Sequence, residues 1–276
     1  MMVRMLRKAL KHILNEDELK RLYSAIDIVG EIAIIKISNE LLDKKQIIGN
    51  AILNNVKHIR SVYLQTSAVK GVYRIRELEC IAGIDNPITI YKEHGCRFLL
   101  DVKRVYFSPR LSTERARLAS LANEGDVIVN MFAGIGTFSI IIAKKKTCKI
   151  YSIDINPDAH RYAIENVRLN KVEDRVIPIL ADAHDAVRVL GSIADRVIMP
   201  LPEYSKEFID DAILLLKEHG TIHYFTHIHA NNREDAINTC YREIDNIMTR
   251  DYKISGIRVV RDVGPRLYQL VADINV

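Results

Sequence analysis

A loop with two glycines, followed by two aspartates, has the residue types and spacing of a ligand site. In the segment FAGIGTF, Gly134 and Gly136 allow the backbone to approach a ligand closely. A dinucleotide loop needs a third glycine, where this chain has Ser139, and a Walker loop needs a following Lys-Ser/Thr pair. A phosphate cradle is therefore a poor fit. Asp154, 18 residues after Gly136, is placed to accept hydrogen bonds from ribose hydroxyls, and Asp182 is placed to accept one from an adenine amino group.

Together these features describe a nucleoside site without a phosphate site, which matches S-adenosylmethionine. Each aspartate alone is better explained as a capping or loop carboxylate. The order of loop, first acid and second acid on successive strands favours the cofactor. The residues of this region predicted to bind it are Asn130, Phe132, Ala133, Gly134, Gly136, Asp154, Ile155, Asp182 and Ala183.

The elements that must position this loop alternate regularly from about residue 112. Helical and strand-like segments follow one another, which predicts an α/β fold with a doubly wound, mostly parallel sheet. Pro157 suits the first turn of one helix and Gly220 the end of another. The last two strands, near 247–258 and 267–275, are expected to form an antiparallel hairpin at the sheet edge. The loop FAGIGTF follows the first strand, where ligands bind in such sheets.

The first part of the chain has a different pattern and predicts a small α+β domain. Residues 1–14 and 16–25 are predicted as helices, the second opened by Asn15. Residues 28–38 are predicted as one buried strand, and Asn39 as the cap of a third helix. Short strands follow, including a hairpin that turns at His94-Gly95. The predicted domains are residues 1–105 and 106–276.

The positive charge is concentrated in this first domain. Residues 1–105 contain 18 Lys and Arg against 12 Asp and Glu, whereas residues 106–276 contain 22 against 23. A basic domain beside a neutral one suggests a polyanion-binding module attached to a catalytic one. The alternative, that the excess charge forms a solvated face, is about equally favoured by charge alone.

The remaining composition excludes several classes of protein. The apolar runs are too short to span a bilayer, and the basic N-terminus lacks the features of a signal peptide, so a cytoplasmic protein is expected. The four cysteines form no C-x-x-C pair, which favours free buried thiols. His227 and His229 are separated by one residue in a predicted strand, so they could lie on one face as a metal-binding pair. Loop or surface histidines are the better explanation, and no metal is predicted.

From about Val72 to the C-terminus, the chain resembles the archaeal and eukaryotic tRNA (guanine-37-N1)-methyltransferases and their relatives in wyosine biosynthesis. The matching segments are GVYRIRELECIAG, RVYFSPRLSTERAR, NMFAGIGTFSI, YSIDINPDA and DRVIMPLP. The FSPRL…ER segment is the most specific, since the aminocarboxypropyl transferase of the same superfamily lacks it. The resemblance implies a Rossmann-like class I methyltransferase domain and tRNA, bound at its anticodon stem-loop, as the partner. No membrane and no obligate protein partner are implied.

The resemblance also implies roles for individual residues. Glu114 matches the base that removes the N1 proton of guanine, and Arg74 the guanidinium that stabilises negative charge on O6. Without the resemblance, Glu114 would be explained as a carboxylate favourable at a helix N-terminus. Arg110 and Arg115 are plausible contacts to the cofactor carboxylate or to RNA phosphates. The residues expected at the substrate are Tyr106, Arg76, Arg115, Leu201, Pro202, Lys57 and Arg60, and Pro200 and Arg110 join the cofactor set. Lys44, Lys45, Lys70, Arg74 and Arg76 extend the basic surface expected to grip the anticodon stem.

Departures from the family pattern leave the target open. Asn130 stands where the family has an acid, and it cannot form an ion pair with the ammonium group of the cofactor. Pro200 replaces an asparagine that helps to hold the target base, so the target is N1 of guanosine 37 or a wyosine precursor at that position. Many members carry a further N-terminal domain, which this chain starts too late to contain. Two alternatives stay open: aminocarboxypropyl transfer, and an RNA-binding protein with a degenerate site.

Overall fold

Two units with different sheet topologies make up the chain. The computed structural model describes residues 2–22 and 26–276. Its units divide between Arg110 and Leu111, whereas the sequence pattern places the boundary between residues 105 and 106. The predicted end of the second helix, at 23–25, lies outside the described residues.

The first unit packs helices against a four-stranded sheet. The sheet order is β1-β2-β3-β4, and β5 and β6 form a separate hairpin. Leu10 of α1, Ile52 of α3 and Val62 of β3 are fully buried in the shared core. The described elements are α1 (Met2–Leu10), α2 (Glu16–Arg21), β1 (Ile26–Val29), β2 (Ile32–Ile35), α3 (Lys45–Asn55), β3 (Ser61–Gln65), β4 (Leu78–Gly83), β5 (Ile88–Glu93) and β6 (Cys96–Asp101).

Two turn predictions in this unit are confirmed. Asn15 caps α2 through a capping box, in which its side chain accepts from the Glu18 N–H and the Glu18 carboxylate accepts from the Asn15 N–H, both at 2.9 Å. The β5–β6 hairpin turns at His94-Gly95, whose φ angles of 46° and 74° suit a tight turn between two paired strands.

Two other predictions in this unit are wrong. Residues 28–38 form a hairpin and not one strand, because Gly30 adopts φ +58° and turns the chain between β1 and β2. A Cβ at Gly30 would lie 2.2 Å from Thr89 Oγ1, so the turn also requires glycine for space. Asn39 does not cap a helix; it begins a 3₁₀ turn (Asn39–Lys44), and α3 starts at Lys45.

The second unit has the predicted doubly wound α/β topology. Its sheet order is β12-β13-β11-β10-β7-β8-β9. The pairs β11-β10, β10-β7, β7-β8 and β8-β9 are parallel, and β13 is antiparallel to both neighbours. The elements are α4 (Ser112–Leu121), β7 (Val127–Asn130), α5 (Thr137–Lys145), β8 (Lys149–Asp154), α6 (Pro157–Asn170), β9 (Val176–Leu180), α7 (Ala183–Leu190), β10 (Ala194–Met199), α8 (Ile209–Leu215), β11 (Leu216–His229), α9 (Arg233–Ile247), β12 (Lys253–Gly264) and β13 (Leu267–Asn275).

Strand order reverses between β7 and β10, so the chain leaves a crevice at their carboxyl ends. Pro157 lies in the first turn of α6, and the last two strands form an antiparallel hairpin at the edge, as predicted. The first strand of that hairpin begins at Lys253 and not near residue 247, because α9 continues to Ile247.

Gly220 does not end a helix. Helix α8 stops at Leu215, and Gly220 lies inside β11. A Cβ there would lie 2.9 Å from the carbonyl oxygen of Asp195, so this glycine permits close strand packing. Among the described residues, no helix is long and apolar enough to cross a bilayer.

Candidate active site

The glycine loop joins β7 to α5 and is fastened to the neighbouring strand. Gly134 and Gly136 have φ angles of 55° and 85°, in the left-handed region that favours glycine. The Ala133 N–H donates to the carbonyl oxygen of Ile153 in β8 at 2.8 Å. The loop therefore presents its backbone in one fixed conformation at the carboxyl ends of the parallel strands.

Asp154, at the end of β8, holds this loop. Its Oδ2 accepts the Gly134 N–H at 2.6 Å, and its Oδ1 accepts the Asn156 N–H at 2.9 Å. Burial raises the pKa of Asp154, and the two amide hydrogen bonds oppose that shift. Each carboxylate oxygen can accept a further hydrogen bond. The side chain can thus fix the loop and still accept from a diol.

Asn130 ends β7 and leaves one buried acceptor unused. Its Nδ2 donates to Ser139 Oγ at 3.2 Å, whereas its Oδ1 has no hydrogen-bond partner. The residue is fully buried. A buried unpaired acceptor costs about 1–3 kcal/mol unless a donor arrives. Asn130 lacks the charge for an ion pair, as expected, but Oδ1 can accept a hydrogen bond from an ammonium group.

The chain after β9 contributes Asp182 and part of an aromatic cluster. Asp182 caps α7, where its Oδ1 accepts the His184 N–H at 2.8 Å, and Ala183 follows in the first turn. The His184 ring stacks on Phe208 with centroids 4.1 Å apart. Phe132 of the glycine loop meets the same Phe208 ring edge-on at 5.0 Å.

The sequence prediction for this region named Phe132, Asp182 and Ala183 but did not include His184 and Phe208. The only sequence signals for these two residues were an aromatic side chain in a predicted helix, for Phe208, and a histidine two residues after Asp182, for His184. Ile155, also predicted at the cofactor, follows Asp154 and is 37% exposed.

The segment Pro200 to Pro202 follows β10, and the side chain of Ser205 holds it in place. Ser205 Oγ lies 3.0 Å from the Met199 carbonyl oxygen and 2.9 Å from that of Leu201, to which it can donate. Pro200, Leu201 and Pro202 are all half-buried. A proline has no N–H and no polar side chain, so Pro200 adds an apolar wall where the family pattern has an amide.

Glu114 lies in the first turn of α4 inside a network of buried charge. Its side chain is only 2% exposed, and both carboxylate oxygens are engaged. Arg117 Nε donates to Oε2 at 2.7 Å, and Arg258 Nε lies 3.0 Å from Oε1. Arg117 also donates to both oxygens of Asp273, at 2.5 and 3.2 Å. His223 Nδ1 is hydrogen-bonded to Asp273 Oδ1 at 2.6 Å.

The network sets the protonation of Asp273 and His223. Burial alone would raise the pKa of Asp273, but hydrogen bonds from His223 and Arg117 lower it to about 2. Burial lowers the pKa of His223, and Asp273 only partly offsets this. His223 is therefore neutral and Asp273 ionised at neutral pH. Sequence reasoning missed both residues, since each is an isolated polar position in a strand.

The predicted contact of Arg115 with RNA phosphates does not fit its position. The side chain is 2% exposed, and its guanidinium carbon lies 5.9 Å from the centre of the Phe138 ring. It points into the core beside α5 because α4 packs that face inward. A phosphate contact would require this side chain to leave the core, so we correct the prediction of an RNA contact.

In the first unit, two of the predicted arginines, Arg76 and Arg110, lie around one carboxylate. Asp27 of β1 accepts from Arg110 Nε at 2.8 Å, and Arg76 NH1 lies 3.9 Å from its other oxygen. Burial lowers the pKa of Arg76, and the negative charge of Asp27 opposes the shift. Tyr106 is partly exposed, at 38%.

Arg74 lies at a tight turn that carries exposed apolar residues. Lys70 and Ile75 close the turn with mutual backbone hydrogen bonds of 3.0 and 3.2 Å. Arg74 adopts φ +56°, a conformation that costs a non-glycine residue about 1 kcal/mol. Val72 and Tyr73 are exposed at the tip. Strain of this kind persists at sites that need a fixed side-chain direction.

The basic surface predicted for the first unit is partly neutralised. Lys57 and Arg60 are exposed, and Arg60 Nε lies 3.4 Å from Glu31 Oε1. Exposed pairs contribute only about 0–1 kcal/mol each, so a phosphate can replace the carboxylate. Three further cations of this surface are paired, Lys44 with Glu18, Lys45 with Glu79 and Lys70 with Glu77.

Comparison with known proteins gives the family. The sequence model of the TRM5/TYW2 methyltransferase domain matches residues 89–254, and that of the TYW2 N-terminal domain matches residues 6–86. The chain belongs to the TRM5/TYW2 methyltransferase family. The family resemblance and the fold class predicted from the sequence are both confirmed.

Individual relatives cover most of the chain. The tRNA (guanine(37)-N(1))-methyltransferase Trm5b of Pyrococcus abyssi is 43% identical over 94% of this chain and 77% of its own. The tRNA 4-demethylwyosine(37)-methyltransferase Taw21 of Saccharolobus solfataricus is 37% identical over 92% of this chain and 94% of its own. The solved complex of aTrm5 and tRNALeu aligns with a TM-score of 0.87 and 36% identity, over 98% of this chain and 78% of that one.

Proposed function

We propose that this protein is a tRNA methyltransferase that uses S-adenosylmethionine to methylate N1 of guanosine 37, next to the anticodon. The observation that carries the proposal is the glycine loop pinned by Asp154 beside the unused buried acceptor of Asn130, within a domain of this methyltransferase family. Relatives named as guanine-37 methyltransferases support the target. A tRNA substrate also favours the cytoplasm as the place of action.

The residues present fit the cofactor. Asp154 would accept from the ribose hydroxyls, Asp182 from the adenine amino group, and Asn130 Oδ1 from the ammonium group. The glycine loop would lie along the nucleoside, since Gly134 and Gly136 carry no side chains. When bound, S-adenosylmethionine supplies a methyl group whose bond to sulfur breaks with the electron pair leaving to sulfur.

Two residues carry the proposed chemistry on the base. Glu114 would accept the N1 proton, and the electron pair of that N–H bond would stay on nitrogen for its bond to the methyl carbon. Arg74 would stabilise the negative charge that develops on O6. The buried position of Glu114 supports a role in a site from which water is largely excluded.

Binding of the RNA would begin with the basic surface of the first unit. Lys57 and Arg60 would meet phosphates of the anticodon stem, and such contacts release counterions and depend on salt. If the double variant Lys57→Ala/Arg60→Ala left the tRNA affinity and its salt dependence unchanged, this surface would not be the RNA contact.

A direct test uses unmodified tRNA transcripts that differ only at position 37. Transcripts with G37 or A37 are incubated with protein and S-adenosylmethionine, digested, and analysed by mass spectrometry. We expect N1-methylguanosine with G37 only, and its loss in Glu114→Gln. The matched control is Glu124→Gln, an exposed glutamate whose carboxylate pairs with Lys146. Methylation of A37, or full activity of Glu114→Gln, would contradict the proposal.

A second candidate is methylation of 4-demethylwyosine at position 37. Pro200 favours it, because the apolar wall after β10 offers no hydrogen bond to guanine, and the Taw21 relative carries that activity in its name. The same assay with tRNA bearing 4-demethylwyosine separates the two by the nucleoside that gains a methyl group. A mass gain larger than a methyl group would instead indicate aminocarboxypropyl transfer.

A further inference from the structure

The two guanidinium groups on Glu114 are not equivalent. Arg117 is 16% exposed and is also held by both oxygens of Asp273. Arg258 is 45% exposed and reaches Glu114 from the edge strand β12. Arg117 is therefore a fixed part of the network, whereas Arg258 can exchange partners at the surface.

This exchange matters because Arg258 covers one of the two oxygens of the carboxylate. Oε2 is paired with Arg117, which is 16% exposed, and Oε1 with Arg258, which is 45% exposed, so Oε1 is the oxygen that a substrate approaching from the surface would meet. In the structure, Arg258 Nε lies 3.0 Å from Oε1. Oε1 could accept a second hydrogen bond, but Glu114 is only 2% exposed and Arg258 is the more exposed of its two partners. Arg258 therefore has to move before a substrate donor can come within hydrogen-bond reach of Oε1.

The surroundings of Arg258 supply a reason for it to move. Residues 253–268, which form most of the β12–β13 hairpin, contain four basic residues and one acid, Asp262. This local charge was hidden in the nearly neutral total of the second domain. The basic residues are Lys253, Arg258, Arg261 and Arg266. Phosphate groups are strong partners for arginine, and an RNA backbone on this hairpin would compete with a carboxylate.

We propose that Arg258 is an exchangeable counterion of Glu114, which leaves the carboxylate for an RNA phosphate when tRNA binds and so uncovers Oε1 for the N1 proton. The proposal rests on the proposed function for the role of Glu114. The RNA contact by the β12–β13 hairpin is a separate surface from the one predicted in the first unit. Through this exchange, the carboxylate of Glu114 becomes available as the proton acceptor only after the tRNA has bound.

The charges around Glu114 are consistent with this exchange. The groups that face it are Arg117 from its own helix and Arg258 from β12, and behind Arg117 lie Asp273 from β13 and neutral His223 from β11. With Arg258 in place, the two arginines balance the two carboxylates. Without Arg258, one negative charge is uncompensated, and a proton from the target base would neutralise it.

The test measures tRNA affinity against salt for Arg258→Gln, with Arg258→Lys and Arg242→Gln alongside. Arg242 is an exposed arginine of α9, so its substitution removes the same charge elsewhere on the unit. Loss of one phosphate contact should make the negative slope of log affinity against log salt shallower by about 0.7. Arg258→Gln should show this decrease, Arg258→Lys should restore the slope, and Arg242→Gln should match the wild type.

A rate measurement distinguishes an exchanged from a permanent ion pair. In single turnovers on the G37 transcript, the loss in Arg258→Gln should fall on the dissociation constant, about tenfold, and much less on the rate at saturating tRNA. A large loss of the saturated rate with unchanged affinity would mean that Arg258 stays on Glu114, and it would overturn the proposal. So would an unchanged salt slope. The salt slope is measured without catalysis, so it tests the RNA contact of Arg258 even if the wild type does not methylate G37. Failure to methylate G37 would refute the proposed function and would leave the result on the RNA contact standing.

Discussion

Replacing Asp273 by asparagine should remove a stabilisation of the folded state that is complete at neutral pH and is lost in acid. Asp273 accepts hydrogen bonds from Arg117 and His223 in the interior of the second unit. Asparagine keeps the size and one acceptor oxygen, so the main loss is the negative charge. Because the folded-state pKa of Asp273 is depressed, its contribution is complete above the unfolded value and is lost as the pH falls through about 2.

The magnitude follows from the shift of that pKa from 3.8 to about 2. At about 1.4 kcal/mol per unit, ionised Asp273 stabilises the folded state by about 2 kcal/mol at pH 7. At pH 3 the unfolded chain is mostly protonated at this position while the folded chain is not. The same linkage then leaves about 1 kcal/mol, roughly half of the value at pH 7.

Urea unfolding of the wild type and Asp273→Asn between pH 3 and pH 7 measures this difference. Asp158→Asn is a suitable control, because Asp158 forms a partly exposed pair with Arg161 at 3.4 Å. Such a pair should contribute about 0–1 kcal/mol. A difference between wild type and Asp273→Asn that stays constant over the pH range would refute the assignment of the charge network as a stabilising element.

Three further predictions concern the glycine loop and the core. Gly136→Ala should weaken S-adenosylmethionine binding and cost about 1–2 kcal/mol of stability, because φ is 85° and a Cβ would lie 3.2 Å from Ile140; calorimetry and urea unfolding measure both. Ser139→Ala should cost about 1–3 kcal/mol in urea unfolding, since Asn130 Nδ2 loses its acceptor; a neutral result would contradict the buried hydrogen bond. Burial raises the pKa of Cys240 to about 12, so its thiol should resist iodoacetamide at pH 8 until urea unfolds the chain; peptide mass spectrometry detects the adduct, and rapid native labelling would contradict the assignment.

The alternation of helices and strands in the second unit was predictable because it depends on local periodicity. Each apolar run has the length and flanks of one element, and the glycine loop marks the switch point of the sheet. The errors occurred where distant residues decide the local structure. Gly30 turns the chain against Thr89, and Gly220 lies in a strand against Asp195. Neither neighbour is visible in the nearby sequence.

The same difference between local and distant signals applies to the residues of the candidate site. The loop and its acids follow strands directly, so spacing along the chain was enough to propose Gly134, Asp154 and Asp182 as cofactor contacts. Arg117 is three residues from Glu114, but the rest of the network is more than 100 residues away in sequence: Arg258 comes from β12, and His223 and Asp273, behind Arg117, come from β11 and β13. Their pairing depends on the register of antiparallel strands, which a single sequence does not reveal.

One row of the sheet has a consequence for how this chain folds. Aligned residues across the strands are Ser152, Asn130, Ile198, His223 and Asp273. A slip of one residue in the pairing of β7, β8, β11 or β13 would turn its polar member to the opposite face of the sheet. For Asp273 such a slip would bury a carboxylate away from Arg117, at a cost of several kcal/mol. The row therefore discriminates against misaligned strands during assembly, and apolar replacements along it should leave a sheet that pairs in more than one register.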